Sequence, residues 1–237
     1  MAERRTYGSY NDGCAAAHAL DLVGDRWAMV VVRELLLGPK RFVDLQNDVM
    51  GIGPTVLTRR LVDLVDRGVV QSRRSSTSSR SELYELTPWG CRLEEVNTAL
   101  ARWAVESSAL PWDADMSPDT LILTMRAHAR PCPELEEPVA VGLHLSDARR
   151  HPHPDPVSYV AVLSADGSSL TKTDIPQSTI ATLTTDTRTL KTAVLGDADL
   201  TRHPDAAISG DPTAIDTLLA ATRLDDPGPG RSLPGPG

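Results

Sequence analysis

An α+β fold in two unlike halves is predicted by three observations. Residues 10–110 read as helices followed by a strand pair and one more helix. Residues 120–224 read as strands interspersed with short helices. Between them "PWDADMSPD" (111–119) carries prolines and aspartates but no period, the composition of a linker. At 237 residues the chain has room for one large or two small domains, and a hydrophobic content of 41% suffices for packed cores. The expected division is 1–110, a linker at 111–119, 120–224, and a Pro/Gly-rich tail at 225–237, "DDPGPGRSLPGPG", read as disordered.

The first ten residues are polar and read as loose. A helix is expected over about Cys14–Val23, ending at Gly24. A second is expected from Asp25, a good N-cap residue, through "RWAMVVVRELLLG" to Gly38, and a third over "FVDLQNDV". The fourth, 54–67, has Pro54 in its first turn and Gly68 past its end, the asymmetry that helices favour. "VVQSRR" and "ELYELT" read as short strands joined by "SSTSSRS". In the next helix Thr87 caps and Pro88 takes the first position. Trp89, Leu93, Val96, Leu100 and Trp103 follow at spacings of 4, 3, 4 and 3, a narrow seam suited to packing along another helix. That helix belongs either to another chain or to the domain's own core.

In the second half "TLILTMRAHA", "PVAVGLHL" and "SYVAVLS" read as strands. Asp166–Gly167 marks a hairpin turn into "SLTKTDI", and "STIATLTTD" reads as a further strand. "TRTLKTAVLG" and "DPTAIDTLLAAT" read as helices around a short "AAISG" strand.

Composition narrows the function. Cys14, Cys91 and Cys132 are odd in number and far apart, which argues against a disulfide framework or a zinc site and fits a reducing cytoplasm. No secretory signal or membrane-spanning run is apparent. The net charge of −8 resides entirely in residues 113–237, because residues 1–112 hold 14 basic and 14 acidic side chains. From Arg59 to Arg80 six arginines face two aspartates, a basic window within a neutral half. Nucleotide-binding and hydrolytic motifs are absent, and His128 and His144, in strand-like segments, read as packed or solvated. No catalytic set converges, so no enzyme and no cofactor are expected. "HPHPDP" alternates His151, His153 and Asp155, but the intervening prolines make it a stiff loop rather than a metal site.

On a helical wheel of 54–67, Leu57, Leu61 and Leu64 form one stripe with Val65 beside them. Thr55, Arg59, Val62, Asp63 and Asp66 lie opposite, with Thr58 at the edge. Such a face is either solvated or, in a helix-turn-helix unit, presented to DNA bases near its N-terminal end. Arg73, Arg74 and Arg80 flank a serine-rich hairpin tip, which is either a solvated loop or a wing against the phosphate backbone.

"CAAAHALDLVGDRWAMVVVRELLLGPKRFVDLQNDVMGIGPTVLTRRLVDLVDRGVV" followed by "LYELTPWG" closely resembles the HxlR-type winged helix-turn-helix transcriptional regulators over about residues 10–110. The resemblance implies a homodimer that binds double-stranded DNA at a roughly palindromic operator. It makes 42–49 the positioning helix and 54–67 the recognition helix. Thr55, Thr58 and Arg59 would face bases, with Lys40, Arg41, Arg73, Arg74 and Arg80 near phosphates. It assigns the Trp89–Trp103 seam to dimerisation. Cys14 matches the N-terminal cysteine with which some members sense oxidants or electrophiles; the alternative is a small residue at the dimer interface. The wing departs from the pattern, with Ser and Arg in place of the proline often found before its second strand. The second half resembles the sterol-carrier-protein type α+β domain through its strand, "DG", strand order and the stretch from "ATLTTD" to "GDPTAIDTLLAAT". That implies a pocket for a hydrophobic small-molecule effector, or else a structural module without ligand. A second function class is a lipid-like small-molecule binder whose N-terminal half serves mainly to dimerise.

Overall fold

The computed structural model describes residues 9–74, 82–150, 155–174, 178–195 and 199–223. The expected tail, the tip of the strand pair with Arg80, and His151 and His153 lie outside these residues. The chain divides after Asn97 into two compact units.

The first unit opens with α1 (Ala15–Val23) and α2 (Ala28–Leu35). Asp25 does not cap α2. The residue preceding that helix is Trp27, in the left-handed region at φ +79°, with the Arg26 guanidinium 5.1 Å from its ring centroid. The Asp25 carboxylate is held by Arg60 instead. A two-residue strand β1 (Lys40–Arg41), not anticipated from sequence, leads into α3 (Phe42–Asp48). Asp44 at the third helical position reaches back to the Arg41 N–H at 3.4 Å, filling one orphan donor of the first turn. A turn through Gly51, at φ +83°, brings in α4 (Pro54–Asp66). Gly68, at φ +69°, then ends the helix in the conformation that spares a residue without Cβ. Strands β2 (Val70–Arg74) and β3 (Glu82–Leu86) pair antiparallel, and β1 adds to the other side of β3. Leu45, Leu57, Leu61 and Leu64 meet Val31, Val32, Val69 and Val70 in one buried cluster.

Thr87 caps α5 (Pro88–Cys91) by accepting from the Gly90 N–H at 3.0 Å. Gly90 lies against the Val69 carbonyl, where a Cβ would collide, so the helix packs directly on the start of β2. The helix expected to run on from Pro88 breaks at Arg92 and resumes as α6 (Leu93–Ala104).

In the second unit α7 (Pro118–His128) corrects two expectations. The presumed linker 111–119 ends inside this helix, and "TLILTMRAHA" is helical rather than extended. Ser117 caps it through the Thr120 N–H at 3.0 Å, and Pro118 takes the first helical position. Eight of its eleven residues are buried, so the amphipathic period that would have marked a helix is lost. The sheet follows the order β6-β5-β4-β7-β8, with β4 (Val139–Ser146), β5 (Val157–Leu163), β6 (Ser168–Lys172), β7 (Ala181–Asp186) and β8 (Ala207–Gly210). Only the β4–β7 pair is parallel. The expected hairpin turn at Asp166–Gly167 is present between β5 and β6. Helices α8 (Thr187–Val194) and α9 (Pro212–Thr222) start on Asp186, which accepts from the Arg188 and Thr189 N–H groups, and on Asp211, which accepts from the Thr213 N–H. With α7 they cover the face that carries Val141, Leu143, Ala161, Leu170 and Leu183. Within this core the Asp119 carboxylate accepts from the Tyr159 hydroxyl at 2.6 Å and the Lys172 ammonium at 3.0 Å. His144 Nδ1 lies 2.8 Å from the Ser158 hydroxyl, and His128 falls in the last turn of α7.

Candidate nucleic-acid interface

The leucine stripe of α4 decides what its other face can do. Leu57, Leu61 and Leu64 are buried completely or nearly so, which locks the helix about its axis and turns Thr55, Thr58 and Arg59 to solvent. The Thr58 hydroxyl donates to the Pro54 carbonyl at 2.9 Å within the helix. The Arg59 side chain makes no hydrogen bond or ion pair among the described residues, so its fork of donors is open to an external acceptor.

The neighbouring arginines are committed elsewhere. Arg60 points back into the unit, donating to Asp25 at 2.5 Å and to Asp63 at 3.3 Å. Arg67 donates to the Leu22 carbonyl at 2.6 Å, with Asp25 at 3.7 Å. Together they tie α4 and the turn after it to the α1–α2 connection. In the strand pair Arg73 donates to Glu85 at 2.8 Å, across from the Gln71 amide on the same carboxylate. These contacts hold the Glu85 carboxyl below the usual range, Arg73 contributing most. Arg74 pairs in register with Glu82 and stays exposed, and its side chain makes no hydrogen bond or ion pair among the described residues. The basic window of the sequence therefore resolves into structural arginines (60, 67 and 73) and open ones (59 and 74); Arg80 lies outside the described residues.

Lys40 corrects the expectation of a phosphate contact. Its side chain is 6% exposed, and its ammonium lies 2.9 Å from the fully buried Glu34 and 2.7 Å from Asp48. Arg33 takes the other oxygen of Glu34 at 2.9 Å. A buried ammonium between two carboxylates binds α2, β1 and α3 together and is withdrawn from any ligand. Arg41 next to it is exposed and bridged to Asp44 at 2.8 Å, which raises the pKa of its guanidinium.

Sequence reasoning missed the roles of Glu34, Asp48 and Asp25. It placed Val62 on the outward face but gave no role to it or to Val56, which remain 53% and 43% exposed on α4. The i±3 spacing of the valines about Arg59 was a signal available in the sequence. The acid–base partnerships had none, because their members are brought together only by folding.

Helix α1 and the α5–α6 segment bound a cleft of about 320 Å³ lined by Leu22, Val23, Val69, Trp89, Leu93 and Val96. Leu20, Trp89 and Val96 are about half exposed around it. On α6 no residue is buried, and Leu100 and Trp103 remain 47% and 76% exposed. Cys14 precedes α1 as its N-cap residue and is exposed. The N–H groups of Ala17, chiefly, and Ala16 face its sulfur and lower the thiol pKa, since they favour the thiolate. Among the described residues there is no metal-competent cluster and no helix long and apolar enough to cross a membrane.

Comparison with known proteins matches the HxlR-like helix-turn-helix family over residues 22–109. The chain is 29% identical over 147 residues to an uncharacterized HTH-type transcriptional regulator, MT3179, of Mycobacterium tuberculosis, covering 61% of this chain and 87% of that one. It is 30% identical to the HTH-type regulator YvaP of Bacillus subtilis, covering 37% and 82% respectively. Among solved structures, the reduced form of the B. subtilis regulator YodB is 27% identical, covering 40% of this chain and 95% of that one, at a TM-score of 0.37. With α4 and its outward Arg59, the paired strands and the matched relatives, the chain belongs to the HxlR-like helix-turn-helix family of DNA-binding transcriptional regulators.

Proposed function

We propose that the chain acts as a homodimer on a pseudo-palindromic operator, with two copies of α4 in successive major grooves about 34 Å apart. The observation that carries this reading is the selective freedom of α4: Thr55 and Arg59 face outward with the Arg59 side chain unpaired among the described residues, while the adjacent Arg60 is pinned inward. Arg59 reads a guanine through O6 and N7, and Thr55 and Thr58 bond bases or nearby phosphates. Arg74 and Arg41 contact the backbone and supply affinity without sequence information. Arg73, bound to Glu85, has a smaller share, and Arg80 is assigned to the wing by family pattern alone.

Dimerisation uses Trp89, Leu93, Val96, Leu100 and Trp103. The half-exposed indole and aliphatic side chains on α5 and α6 support this, since a seam of that kind gains by losing contact with water. Cys14 serves as a thiol sensor, supported by its exposure and its place before α1. Its oxidation or alkylation changes operator affinity only to the extent that the modified thiol favours one spacing of the two α4 helices. The second unit is read as a sterol-carrier-like module that takes a hydrophobic effector, supported by its order of hairpin, strand, helix, strand and helix.

The test is fluorescence anisotropy of the purified chain on a duplex from its own upstream region at several salt concentrations. A preference for that duplex over random DNA of about a thousandfold or more, falling steeply with salt, is expected. Equal weak binding to both would refute operator recognition.

A further inference from the structure

The exposed face of α4 is not uniformly polar. Val56 and Val62 are 43% and 53% exposed, whereas Leu57, Leu61 and Leu64 on the same helix are at most 2% exposed. They stand at i−3 and i+3 from Arg59, so the three form one row of the i±3 ridge that winds across a helix surface. At the centre of the row is the one arginine of this helix that folding leaves unpaired among the described residues. Single exposed valines call for no explanation. Two of them bracketing an open guanidinium, on the face that the proposed function turns to DNA, have a chemical counterpart in the major groove. There the thymine 5-methyl group is the sole apolar mark on a base edge, and at a neighbouring T·A pair it comes within reach of a helix whose arginine takes O6 and N7 of guanine.

We infer that Val56 and Val62 are specificity-determining residues, each packing on a pyrimidine 5-methyl group on either side of the guanine read by Arg59. Six residues of helix rise about 9 Å. At about 3.4 Å per base pair this places the two methyl groups two to three steps apart. β-Branched valine suits the role, because its stiff χ1 holds both methyl groups in place without a loss of rotamer freedom on binding. Asp63 and Asp66, beyond Val62, keep the last turn of the helix away from phosphates, so the contact ends at the row of Val56, Arg59 and Val62.

The inference rests on α4 being the recognition helix, and the test separates the two. Duplexes retained by the full-length chain are selected from a random pool. Each thymine of the selected half-site is then replaced by deoxyuridine, which removes the methyl group and alters no hydrogen bond. Wild-type protein loses about fourfold in affinity at each of two thymines near the essential guanine, the effect of one buried carbon. Val56→Ala becomes indifferent to one of these replacements and Val62→Ala to the other. If the wild type tolerates every replacement while Arg59→Ala still weakens binding, the valine assignment falls and the recognition helix stands. A selected site without thymine near its guanine, or valine variants that keep both penalties, overturns it equally. If no duplex is retained, both readings fall. The deoxyuridine series on the wild type needs no variant to fold.

Discussion

Replacing Lys40 by Met separates the role given by the fold from the role suggested by the motif. Its ammonium is 6% exposed and lies within 3 Å of Glu34 and Asp48. The substitution keeps most of the aliphatic volume but leaves two carboxylates, one fully buried, without the cation they share. Breaking a buried pair from one side costs about 3–5 kcal/mol, most of it the stranded charge. The lower end is expected, because Arg33 still holds one oxygen of Glu34 at 2.9 Å. Urea unfolding followed by tryptophan fluorescence and circular dichroism reads that loss, and Glu34→Gln added to Lys40→Met should recover part of it. Operator binding, measured where the variant remains folded, should keep the wild-type slope of log affinity against log salt. Were Lys40 a phosphate ligand in both protomers, the slope would fall by about 1.8, at about 0.9 per contact. A slope reduced by that amount, with stability within about 0.5 kcal/mol of wild type, would refute the structural assignment.

Arg59→Ala should cost about 1–3 kcal/mol of specific operator binding and relax the preference at one base position, as read by competition with single-base operator variants. Arg74→Ala should instead weaken every duplex alike and flatten the salt slope; equal losses from both substitutions on random DNA would show the roles wrongly divided. Trp103→Glu, at a 76% exposed position, should shift the chain from dimer to monomer in sedimentation velocity while its circular dichroism stays that of the folded chain, and a stable dimer would remove α6 from the interface. Iodoacetamide should modify Cys14 with a pH profile displaced below that of a cysteine peptide, because the N–H groups of Ala17 and Ala16 favour the thiolate; a profile matching the peptide would remove its basis as a sensor.

Much of the fold was legible because its signals are local. Pro54 and Gly68 bound α4, and Leu57, Leu61 and Leu64 name its buried side. Thr87, Asp186 and Asp211 cap the helices that follow them. Where burial is nearly complete, the local signal fails. On α7 Leu121, Ile122, Met125 and Ala127 are all inside, so the segment has no polar face to reveal its period. Asp25 offered a cap, but the chain passes through Trp27 in a left-handed conformation before α2 begins, a choice made by packing rather than by propensity.

The sequence by itself determined the order of elements, the apolar stripes and the basic character of the stretch from Arg59 to Arg80. Tertiary structure decided which of those charges remain available. Arg60 finds Asp25 from 35 residues away, Arg73 finds Glu85 across the strand pair, and Lys40 is enclosed by Glu34 and Asp48. Arg59, by contrast, is left open on the side opposite the leucines. The division follows from the range of the forces involved. Helix caps and periodicity act over a few residues and are written in order along the chain. An ion pair needs only proximity, and proximity between distant residues is created by burial of the core.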